Sequence, residues 1–87
     1  MRTHQCAVFE LAIAHAVEEI QKEKSITREE MAAALEMPEL EVTAFELGER
    51  RLSAGGLLVL LDLFRLSWQD FEKRLKKHID RARSEIK

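Results

Sequence analysis

The sequence predicts an all-α domain of five helices, and three observations predict it. Apolar residues recur at three- and four-residue spacing along most of the chain. Three glycines and one proline among 87 residues leave few internal breaks, and β-branched residues never gather into runs. The breaks that exist, QKEKS at 21–25, EMP at 36–38 and Glu49–Leu52, fall between segments of amphipathic helical pattern, and Ser67 opens one more.

The first helix should start near Thr3 or His4 and run to about Lys24. Phe9, Ile13, Ala16, Val17 and Ile20 recur at helical spacing and face the core. Lys22 and Lys24 stand at the negative end of its dipole, where QKEKS ends it. Its first turns, with Cys6, Val8 and Phe9, need a neighbour further along the chain or on another subunit.

Ile26–Gly48 reads as two short helices joined by a tight turn, a helix-turn-helix over 27–47. Thr27 with Glu30 three residues on forms a capping box, worth ~1 kcal/mol. Met31, Ala32 and Leu35 make the inward face of the second helix. Pro38 suits the first turn of the third, where its missing N–H costs nothing. That helix spans roughly Pro38 to Leu47, with Val42, Phe45 and Glu46 inward, and Gly48 ends it in a left-handed conformation.

Ser53 is the N-cap of the fourth helix. Gly55 and Gly56 weaken its first turn by about 1 kcal/mol each relative to alanine. They serve close backbone packing, or else offer exposed amides to a phosphate. Leu57, Leu60, Leu61 and Phe64 form one core face, while Val59 and Leu63 point the other way and require a cover. Ser67 caps the last helix, which reaches Ile86. Trp68, Phe71, Leu75, Ile79, Ala82 and Ile86 fall on a stripe about 80° wide. So narrow a seam suits one facing helix, including its own copy in a dimer. At about 30 Å the helix is as long as a small domain is wide, so its second half should project beyond the core.

Composition bounds the function. A chain of this length makes one domain with one small core, for which oligomerisation supplies extra burial. Hydrophobic residues at 46% and charged ones at 34% fit a folded chain rather than a disordered one. The single cysteine, Cys6, forms no intrachain disulfide, which points to a reducing cytoplasm. The longest apolar run, Leu57–Leu61, is too short to span a bilayer, and the N-terminus lacks a signal-peptide core. His4, Cys6 and His15 are metal-capable types, but their spacing spreads them around one helix, so no metal is expected. No Ser/His/Asp arrangement, glycine-rich phosphate loop or paired buried carboxylate occurs. The expectation is a binding protein without cofactor or small-molecule substrate, not an enzyme.

Charge is unevenly spread. Residues 25–53 hold three arginines against seven glutamates, a net −4, whereas residues 65–87 hold eight Lys/Arg against four Asp/Glu, a net +4. That reverses the electrostatic footprint of a major-groove binder. The basic stretch KRLKKHIDRAR at 73–83 is a solvated face, a source of non-specific phosphate contacts, or a partner for the acidic third helix of another chain. Its apolar face is too narrow for a membrane surface.

From about Ile13 to Leu75 the chain resembles the Cro/CI-type (XRE family) helix-turn-helix proteins. The carrying residues are I-x-x-x-V-x-x-I-Q at 13–21, ITREEMAAAL at 26–35, V-T-A-F-E-L-G at 42–48, the Leu57/Leu60/Leu61/Phe64 helix, and L-S-W-Q-D-F at 66–71. The resemblance implies a five-helix lambda-repressor-like domain, here with extended N- and C-terminal helices. It implies a dimeric transcriptional regulator whose third helix enters the major groove. Arg28 stands where the family commonly places a glutamine on the DNA backbone. Glu39, Leu40, Glu41, Thr43 and Ala44 stand where it reads base edges, and only Thr43 is a comfortable reader. Arg50 and Arg51 join Arg28 as phosphate anchors. Gln21 replaces an arginine that pairs with the family's equivalent of Glu46, and Glu36 replaces the glycine of the turn. Because the reading helix is acidic, the same face also suits protein recognition. For a homodimer the expected interface is Val59, Leu63, Trp68, Leu75, Ile79, Ala82 and Ile86.

Overall fold

In a computed structural model that describes the backbone over residues 2–86 and side chains over 6–84, five α-helices and no strand are formed among the described residues. They are α1 (Arg2–Glu23), α2 (Arg28–Leu35), α3 (Glu39–Glu46), α4 (Ala54–Phe64) and α5 (Trp68–Ile86). The caps fall where hydroxyl residues precede the helical pattern. Glu30 N–H donates to Thr27 Oγ1 at 3.0 Å while Thr27 N–H donates back to Glu30 Oε1 at 2.8 Å, so the capping box is complete. Ser53 Oγ accepts from Gly56 N–H, and Ser67 Oγ accepts from Asp70 N–H. Pro38 stands one position earlier than expected, as the extended N-cap of α3 rather than in its first turn.

The main core takes Ala14, Ala16, Val17 and Ile20 from α1, Met31 and Ala32 from α2, and Val42 and Phe45 from α3. It is completed by Leu57, Leu60, Leu61 and Phe64 from α4 and Phe71 from α5. Every face predicted for α2, α3 and α4 is thus the buried one. Leu63 is half-buried against this core, so the chain itself covers part of what was expected to lie open on α4.

The largest departure concerns α5. It does not project; it lies antiparallel along α1, with Arg74 at Glu23, His78 at Glu19, Ala82 at Ala12 and Arg83 beside Phe9. A second apolar cluster forms there from Val8, Ala12 and Ala82, flanked by Leu11, Leu75 and Ile79. Ala12 and Ala82 are completely buried, and their small side chains let the two helices approach closely. Ala82 is therefore no partner surface, and Leu75 and Ile79 are only half available. The side chain of Ile86 lies outside the described residues. Phe9, expected in the core, is instead exposed, with the Arg83 guanidinium 5.8 Å from its ring centre, and Val8 and Ala12 take the inward places. A helix that meets different neighbours along its length buries two stripes, and one period identifies only one of them.

The polar edge of the α1–α5 contact is an ion-pair network. Glu19 Oε1 lies 3.0 Å from His78 Nε2 and 3.4 Å from Arg74 Nη1, with Lys77 Nζ 3.7 Å from Oε2. Arg74 also grips Glu23 through two bonds of 2.6 and 2.8 Å. The hydrogen bond from His78 holds the Glu19 carboxyl below the usual carboxylate range, and the bond from Arg74 does the same for Glu23. Both carboxyls release protons more readily folded than unfolded. Their stabilisation is present above the unfolded value and is lost as pH falls through the lower, folded one. Melting curves of the protein and of Glu19→Gln should thus differ near neutral pH and converge in acid, below the ordinary range of a glutamate carboxyl. A gap independent of pH would show that the Glu19 charge contributes nothing to folding.

Candidate macromolecule-binding face

The α2–turn–α3 unit begins with an unusual turn. Glu36 ends α2 with φ 56° and ψ 47°, the left-handed region that glycine adopts freely and other L-residues adopt at a cost. Its N–H donates to Ala33 O and the N–H of Met37 to Ala32 O, which closes the last turn of α2. The chain keeps a glycine-type turn without the glycine. Glu36→Gly should consequently stabilise the domain by about 1 kcal/mol in urea unfolding, and a loss of stability would mean that the Glu36 side chain makes a compensating contact.

Beyond the turn, Met37 packs on the core and Pro38 starts α3. Val42, Phe45 and Glu46 are buried, and the rest of α3, with Leu47 at its C-cap, is turned away from the core to differing degrees. Thr43 and Ala44 are half-buried, whereas Leu40 is 80% exposed and Leu47 65%. Gly48, at φ 80°, then turns the chain away.

The three arginines expected to anchor phosphates each end on a carboxylate of their own chain. Arg28 Nε donates to Glu46 Oε1 at 2.7 Å, joining the first residue of α2 to the last of α3. The Glu46 side chain is buried and its Oε2 has no partner, so this pair holds the two helices together. The same bond raises the affinity of Arg28 for its proton still further. Where the family's equivalent of Glu46 pairs with an arginine at the place of Gln21, Glu46 is paired here with Arg28 instead. Nothing in the spacing announces a contact between residues 18 apart across a turn. Arg50 Nη2 lies 3.1 Å from Glu41 Oε1, and Arg51 Nε lies 2.9 Å from Glu10 Oε2. Both of these pairs are on the surface. Glu39, Glu29 and Glu49 are exposed, and none of them forms an ion pair among the described residues.

The glycines at the start of α4 divide. A Cβ on Gly56 would stand 2.9 Å from Leu52 Cδ1, and its N–H is already taken by Ser53, so close packing accounts for this position. Gly55 has open space around it. A groove of about 350 Å³ between α2 and α4 includes Leu35, Glu36, Met37, Arg50, Ser53 and Val59 in its walls. Val59 consequently faces a different groove from Trp68, which separates two residues expected to share one interface.

Sequence reasoning missed Leu47 and Leu58 as exposed apolar side chains and missed the Glu19–His78–Arg74 network. The network joins residues 55 and 59 apart, and only the antiparallel approach of α5 to α1 brings them together. Among the described residues no three His, Cys, Asp or Glu side chains are grouped to hold a metal, and no helix is long and apolar enough to cross a membrane. Comparison with protein-family models, with curated proteins and with solved structures finds no match for the chain.

Proposed function

We propose that the chain is a small helix-turn-helix transcriptional regulator of the Cro/CI kind that lays α3 in the major groove of duplex DNA. The observation that carries this reading is the outer side of α3, where Leu40 is 80% exposed and Thr43 and Ala44 are half-buried, with a guanidinium group near each end of the helix. Arg50 lies against its first turn and Arg28 against its last. Exposed ion pairs such as Arg50–Glu41 and Arg51–Glu10 are worth ~0–1 kcal/mol, so their arginines can exchange carboxylate for phosphate at little cost. Arg28 is a poorer donor, because leaving would strand the buried carboxylate of Glu46. Thr43 would read a base edge, and Leu40 would meet a thymine methyl group.

A second reading has its own support. The segment 25–53 that contains α3 holds seven glutamates against three arginines, and Leu40 on α3 and Leu47 at its end are strongly exposed. Such a face fits a basic, apolar protein segment better than a polyanion, and the domain would then modulate another regulator. A salt titration of binding to mixed-sequence duplex DNA separates the two. The DNA reading predicts affinity that drops steeply with rising salt. An absence of binding even at low salt would leave only protein recognition.

A further inference from the structure

The groove of about 350 Å³ between α2 and α4 joins apolar walls to an excess of positive charge. Leu35, Met37 and Leu52 line it half-buried, and Val59 is 40% exposed, so hydrocarbon faces water there without a cover. Gly56 keeps it open. A Cβ there would meet Leu52 Cδ1 at 2.9 Å and Leu35 Cδ2 at 3.5 Å, and its absence leaves both leucines where they line the groove. Arg50 and Arg51 are also in the wall, against one carboxylate, that of Glu36. Their guanidiniums rest on Glu41 and Glu10 in exposed pairs that exchange at little cost. Other grooves lack this excess: Glu72 balances Lys76 along α5, and Glu18 and Glu19 balance Lys22 and Arg81 between α1 and α5.

We propose that this groove binds a small aliphatic carboxylate, with its chain against Leu35, Met37, Leu52 and Val59 and its carboxylate on Arg50 or Arg51. Three features select that class. Uncovered apolar side chains call for hydrocarbon. The excess of positive charge calls for an anion, and a volume near the lower end of the range for ligand sites calls for a short chain. The ligand's carboxylate takes the place of Glu41 or Glu10 on its arginine, and the freed glutamate, already part exposed, returns to water. A consequence for α3 rests on the DNA reading. The wall includes Glu36 and Met37 of the turn, and its two arginines are those offered to phosphate. A bound carboxylate holds them away from DNA, so the ligand is an effector that lowers DNA affinity.

Titration of the whole chain with octanoate, followed in amide NMR spectra, tests the site without DNA. Saturable shifts should gather at Leu35, Met37, Leu52 and Val59. Octylamine, with the same chain and the opposite charge, should bind at least about tenfold more weakly. Val59→Glu sets a carboxylate in the wall and should weaken octanoate binding about tenfold or more, with the circular dichroism spectrum unchanged. Replacing Arg50 and Arg51 together by glutamine should bring octanoate and octylamine level. No saturation, octylamine binding as tightly as octanoate to the unaltered chain, or shifts gathered at Trp68 instead would each overturn the site. At constant ionic strength octanoate should also weaken binding to mixed-sequence duplex DNA, and should not do so in Val59→Glu. Octanoate that fills the groove and leaves DNA affinity intact would overturn the effector role. A chain that binds no DNA would overturn the reading of α3, while the titration still decides the site.

Discussion

Replacing Glu39 and Glu41 together by lysine should tighten binding to mixed-sequence duplex DNA by at least about tenfold at low salt, and should steepen the fall of affinity with salt. Two physical effects add. Each substitution turns a charge that phosphates repel into one they attract, and Glu41→Lys also releases Arg50, now held at 3.1 Å. The change costs the fold something, since carboxylates in the first turn of α3 favour its dipole by ~0.3–1 kcal/mol each. Thermal melting would track that loss separately from affinity. Fluorescence anisotropy with a labelled duplex is the measurement. An unchanged affinity would mean that α3 never approaches the backbone of DNA, and the protein-recognition reading would then hold the field.

The largest expected effect on stability is that of Phe71→Ala, a loss of about 3–5 kcal/mol in urea unfolding. Phe71 is completely buried in the main core and sits in the first turn of α5. It ties that helix to the rest of the chain where α5 begins. Removing the ring leaves a cavity that rigid helices cannot close. For a small domain this is a large share of the total, and the loss of α5 would also uncover Val8 and Ala12 on α1. A loss below about 1 kcal/mol would show that α5 is held mainly by its second half, through Ala82 and the ion pairs to Glu19 and Glu23.

The inward faces of α2, α3 and α4 were legible because each is short, meets one core and shows one apolar period. The capping box at Thr27 and the caps at Ser53 and Ser67 were legible because a cap depends on residues three apart. Of the residues named for the candidate face, Glu39 and Leu40 are exposed on α3, whereas Glu41, Thr43 and Ala44 are half-buried. The electrostatics of that face were not legible. That Arg28 would turn to Glu46, Arg50 to Glu41 and Arg51 to Glu10 follows from where helix ends and loops arrive in space.

The long helices mark the same boundary. The number of helices, the places where they are capped and the negative charge of 25–53 are all written into the chain locally. Hydrogen bonding and side-chain periodicity act over a few residues, so these features follow from near neighbours alone. The folding of α5 back on α1 is a different matter, because it depends on contacts between the two ends of the chain. That packing buries Ala82 and brings His78 to Glu19, while Trp68 stays at the surface. The seam on α5 asks for a facing helix without specifying which one. The choice of α1 rests on the close approach that Ala12 permits and on carboxylates placed to meet Arg74 and His78.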